Sequence, residues 1–116
     1  MPREAYLLTT EPMILEALVL AAAQVDDQLG LRALYGGAAL QLIGPDDQAV
    51  LTIENSRLLM DTIDAERVTR GVEMPGAEVW WTEATMPWGS AGDPGVAVVE
   101  GLARICGGRL RIEDGT

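Results

Sequence analysis

The side chains that could do chemistry in this chain are few, and their types narrow the reactions at once. Among 116 residues there is no histidine, and eight bases stand against 18 acids. Every one of those bases is arginine, so lysine is missing as well. Without histidine the commonest general base is gone, and with it Ser-His-Asp and Cys-His catalysis and His-ligated zinc. Covalent catalysis would need a Ser, Thr or Cys activated without His or Lys, or a carboxylate nucleophile. The one cysteine, Cys106, ends an apolar helical stretch, where the helix dipole disfavours a thiolate. It reads as a small buried hydrophobe. Residues 89–95, GSAGDPG, sit between a strand and a helix, where a phosphate loop would lie. They lack a lysine and the GxGxxG spacing, and Asp93 puts negative charge where the anion would bind. The pairs Asp61/Asp64 and Asp46/Asp47 lack calcium-loop spacing and read as solvated charge. The expectation is a non-enzyme with no cofactor and no metal.

Recognition has better material. All three tryptophans, Trp80, Trp81 and Trp88, fall in residues 78–94, EVWWTEATMPWGSAGDP, which reads as strand, loop and helix start. Strand alternation sends Trp80 to the side of Glu78, Thr82 and Ala84, and Trp81 to the side of Val79, Glu83 and Thr85. The strand is therefore covered on both faces, or one ring is left for a partner or a ligand. Trp88 lies in the loop beside Pro87, with Met86 close by, and both residue types are enriched in interfaces. Trp80, Trp81, Trp88 and Met86 are the partner-binding candidates. Glu83 shares the side of Trp81 and is expected as a buried acid of raised pKa, with Arg57 or Arg104 as partner.

The elements that must position these residues follow from periodicity and punctuation. A first strand covers 5–9. Thr10 is placed as a cap, Pro12 fits a first turn, and a helix runs over about 11–29 to a stop at Gly30. Its stripe of Leu15, Leu18, Ala22, Val25 and Leu29 is widened by Ile14, Leu20 and Ala21 until the first turns are apolar nearly all round. Such a helix is buried on two sides or shared with a second chain. Asp26 and Asp27 oppose its dipole at the C-terminal end.

From Leu31 the period is two. Strands over 31–35, 38–43 and 49–54, joined by Gly36-Gly37 and by Gly44-Pro45-Asp46-Asp47, make an antiparallel meander. A short fourth strand over 57–60, a short helix over 65–70 and a loop over 71–77 come next. The tryptophan strand covers 78–85. Asp93 as N-cap and Pro94 at the first helical position open a helix over 95–106, and an edge strand guarded by Arg109 and Arg111 covers 109–112. The whole is one domain, 1–116, of α+β class. It has a mixed, mostly antiparallel sheet of about five or six strands and two main helices on one face, in the order β-α-β-β-β-β-α-β-α-β. The last β-α-β has the length of a right-handed parallel crossover.

Net charge is −10. It repels phosphates and anionic lipid surfaces, which disfavours nucleic acid and membrane as partners. No apolar run is long enough to span a bilayer, and the start has no signal-peptide pattern, so a cytoplasmic location is expected. Arginine without lysine, in a chain rich in alanine and glycine, is the composition of a GC-rich bacterial genome.

The blocks LTTEPMILEALVLAAA and WWTEATMPWG…EGLARICGGRL resemble uncharacterised actinobacterial proteins, some encoded near type VII secretion genes. The resemblance covers roughly a third of the chain. It implies bacterial origin and a secretion-system neighbourhood, and it brings no assigned catalytic or binding residue. Three functions are then expected, in this order. The first is an acidic, non-catalytic protein-interaction module working as a homodimer or with a protein partner. The second is an acidic immunity or inhibitor protein covering a basic site. The third is a small-molecule binder with a Trp-lined cleft around Glu83.

Overall fold

The computed structural model describes residues 2–59 and 79–113. In chain order its elements are β1 (Arg3–Thr9), α1 (Leu15–Val25), β2 (Gly30–Leu34), β3 (Ala39–Ile43), β4 (Ala49–Glu54), β5 (Arg57–Leu59), β6 (Val79–Met86), α2 (Asp93–Ile105) and β7 (Gly108–Ile112). The helix expected over 65–70 and the loop over 71–77 lie outside the described residues. The α+β class holds, with seven strands among the described residues.

The strands form one sheet in the order β2-β3-β4-β6-β1-β7, with every pairing antiparallel. β5 joins the same edge of β6 as β4, further along it. β2-β3-β4 is the expected meander. β6 and β7 both run antiparallel to β1, which lies between them. The β6-α2-β7 crossover therefore links parallel strands, but they are not neighbours. Sequence alone shows the crossover; the intruding strand comes from the far end of the chain.

Both helices lie on one face and cover the main core. Leu18, Ala21 and Ala22 of α1 and Val98, Val99 and Leu102 of α2 meet Ala5 and Leu7 of β1, Leu51 and Ile53 of β4 and Ala84 of β6. A second, smaller cluster of Leu8, Val79 and Trp81, with Tyr6 and Leu59 against it, occupies part of the opposite face.

α1 is shorter than its apolar pattern. Proline at position 12 biases Glu11 away from helical backbone, and the extended lead-in is tied down. The Thr9 hydroxyl donates to the Glu11 carbonyl at 2.6 Å, and the Met13 N–H donates to Ser56 Oγ at 2.8 Å. Thr10 does not cap α1; its hydroxyl lies 3.1 Å from the Gly107 carbonyl, at the far end of α2. Ile14 occupies the N-cap position with no side-chain hydrogen bond. At the other end Asp26 leaves helical backbone and accepts the Gln28 N–H at 2.9 Å, a local turn that competes with a further helical turn. At α2, Gly92 rather than Asp93 is the N-cap, after a 3₁₀ turn over Gly89–Gly92.

Candidate functional site

β6 is central, with β1 on one edge and β4 and β5 on the other. Alternation splits its tryptophans as the sequence requires. Trp80, opposite Thr9, faces the helix side and is half-buried. Trp81, opposite Leu8, faces the other side and is buried, its ring 5.3 Å from that of Tyr6. Its indole N–H has no acceptor among the described residues. Trp81 is thus a core ring of the second cluster, not a contact residue. Met86 is also withdrawn from the candidates: β6 runs one residue further than its sequence pattern, and Met86 continues the Ala84 side into the main core at 2% exposure. Trp88 is 45% exposed, with the Arg3 guanidinium 5.4 Å from its ring centre. That guanidinium also donates to the Pro87 carbonyl at 2.9 Å, so the first strand fixes the loop that carries Trp88.

Glu83 is not a buried acid. Its side chain is 38% exposed and pairs with Arg57 at 3.6 Å, one of the two partners expected from sequence. It lines a concavity of about 260 Å³ on the face away from the helices. Register assembles that concavity. Glu4 and Tyr6 of β1, Glu83 and Thr85 of β6, and Thr52 and Glu54 of β4 alternate outward on three neighbouring strands. Tyr35 stands at its rim, 85% exposed and in left-handed backbone (φ 53°). The walls are tyrosine, threonine and glutamate with Ala39 and Ala84; none of the described lining residues is a tryptophan, which corrects the Trp-lined cleft. The acids press on one another. The Glu54 pKa is raised first because its protonated carboxyl donates to the Glu83 carboxylate, with desolvation and the Glu83 charge adding and Arg57 opposing. Tyr6 donates to Glu4 at 2.9 Å, and its phenol is pushed up to about 12, first by burial and then by that carboxylate.

Glu4, Tyr6, Tyr35 and Glu54 were not singled out by sequence. Their convergence depends on the β4–β6 and β1–β6 pairings, which no local pattern encodes.

A second surface lies on the helix layer. α1 buries Ala17, Leu18, Ala21 and Ala22, which leaves Leu15, Val19, Leu20 and Ala23 on its outer face beside Glu16 and Gln24. Leu15, Val19 and Leu20 are each about half exposed. A shallow groove lined by Val19, Ala23, Leu29 and Leu31, together with Asp26 and Asp27, runs from this surface across to β2, the last strand of the sheet. The over-apolar helix read from sequence is therefore buried on one side only.

Among the described residues no three acidic or cysteine side chains converge as a metal cage requires, and no helix is long and apolar enough to cross a membrane. The Cys106 thiol is buried, and burial, then Glu11, raises its pKa. Fold and surfaces together define an α+β fold with an acidic concavity on the open sheet face and an apolar stripe on the outer face of α1. No family model, curated protein or solved structure matches the chain.

Proposed function

We propose that this chain is an acidic, non-catalytic interaction module that acts by docking a protein surface, as a homodimer or with a protein partner. The setting is the bacterial cytoplasm, near a secretion system as the resemblance implies. One observation carries the reading: α1 presents Leu15, Val19 and Leu20 half exposed on its outer face. Scattered single apolar residues need no explanation, but a contiguous helical stripe marks a surface that another surface covers. The test is a photo-crosslinking side chain at position 15 in the living cell. Protein adducts at that position, to itself or to another protein, support the module; recovery of the unreacted chain alone rejects it.

A second reading has its own support. Glu4, Glu54 and Glu83 share one concavity, and among the described residues Arg57 pairs with Glu83. An immunity or inhibitor protein that receives a basic side chain of its target would present such a surface, and charge would steer the encounter. Glu54→Gln together with Glu83→Gln would then weaken capture of that target and slow its association. An unchanged association rate rejects this second reading.

A further inference from the structure

We propose that the surface covering α1 is a second copy of this chain, the two α1 helices packing antiparallel about a two-fold axis near Leu20. This rests on the interaction-module reading and names its partner.

The first argument is area. Leu15, Val19 and Leu20 on the outer face of α1, with Leu31 beside them on β2, are between 43% and 51% exposed. Together they present roughly 400 Å² of aliphatic surface, most of the apolar share of a standard interface of about 800 Å² per partner. An isologous contact uses the same patch on both copies, so no second patch is required.

The second argument is charge, and it selects the antiparallel arrangement. α1 is anomalous at both ends. Its first turn carries Glu16 but has no side-chain cap, and its last turn has no base. Asp26 and Asp27 follow immediately, next to the negative end of their own helix. Within one copy both features are unfavourable. With two helices antiparallel about Leu20, position i of one faces position 40 − i of the other. Asp26 and Asp27 of each copy then lie beside the uncapped N-terminus of its partner, where negative charge is favoured. One carboxylate oxygen of each already accepts from Gln28, at 2.9 and 3.1 Å, which leaves the other available. Glu16, the one charge on the outer face of α1, comes opposite the neutral amide of Gln24 instead of a second Glu16. A parallel pair would stack like on like along the whole helix.

The experiment is sedimentation across the micromolar range, combined with directed disulfides. The full chain is expected to be a dimer, and Leu20→Glu a folded monomer with an unchanged far-ultraviolet spectrum. Mixed Glu16→Cys and Gln24→Cys chains are expected to form a mixed disulfide on oxidation, and neither should crosslink alone. Asp26→Asn with Asp27→Asn should weaken the dimer about two- to five-fold. In any dimer joined elsewhere, removing two negative charges per copy would tighten it. A dimer that survives Leu20→Glu, or self-crosslinking of either cysteine variant, overturns this inference and leaves the interaction module standing. A monomer overturns it too, and adducts at position 15 to a different protein then show that the wider reading survives. Without such adducts both fall.

Discussion

Tyr6 stands where the apolar and acidic halves of the open sheet face meet, and its phenol reports on both. Trp81 packs beside its ring, and Glu4 accepts its hydroxyl proton. Burial is the largest cause of its raised pKa, followed by Glu4, Glu83 and Glu113. A pKa raised in the folded state favours folding fully below the unfolded value near 10, and that contribution is lost as pH rises towards 12. The chain has two tyrosines, so Tyr35→Phe isolates Tyr6. Its absorbance titration is expected to centre near 12 in the folded protein, and Glu4→Gln should lower the midpoint. A midpoint at the ordinary tyrosine value would show that neither Glu4 nor burial acts on the ring. Glu54 behaves in the same sense at the acid end. Its raised pKa favours the fold below the ordinary carboxylate range and ceases to do so as pH rises. Because Glu54 is largely exposed, screening keeps that effect small.

At the scale of elements, Ser56 joins three of them. It fills the break between β4 and β5, its hydroxyl 2.6 Å from that of fully buried Thr82 on β6, and it accepts the Met13 N–H ahead of α1. Ser56→Ala would leave a buried hydroxyl and a backbone donor unpaired, and should cost about 1–3 kcal/mol in urea unfolding. Thr82→Val should recover part of that loss in the double variant, since a group with no partner is then removed. Gly95 plays a different part. A Cβ there would overlap the Val50 carbonyl and press on Met86. Gly95→Ala should therefore destabilise by about 1–3 kcal/mol through overpacking, although alanine is the better helix former. A neutral result would mean that α2 does not lie this close to β4. These cases show why sequence carried some elements and not others. The bounds of β4 and the register of the β2-β3-β4 meander follow from short turns and period two, which are local. The lead-in to α1, the Ser56 link and the acid concavity all depend on residues far apart in sequence. Met86 failed for a smaller reason: Pro87 ends β6 one residue later than its pattern, and alternation then turns Met86 inward.

For the whole molecule, the two faces respond oppositely to salt, and that separates the readings by one measurement. Each copy carries a net charge of −10, so two copies repel one another at long range whatever they bury at contact. The proposed dimer is driven by aliphatic area around α1, which salt does not weaken, while the opposing repulsion is screened beyond about 8 Å at physiological ionic strength and about 3 Å at 1 M. Self-association is therefore expected to strengthen from low to high salt. It should strengthen again as pH falls towards the isoelectric point near 4.2, where net charge vanishes. The dipole contacts of Asp26 and Asp27 oppose this trend, but four local contacts per dimer are outweighed by repulsion between two decavalent anions. Binding of a basic target by Glu4, Glu54 and Glu83 would run the other way, fastest at low salt and slowed by screening. Sedimentation equilibrium in a salt series gives the sign directly. A dimer that dissociates on adding salt would place its interface on charged groups and not on the outer face of α1.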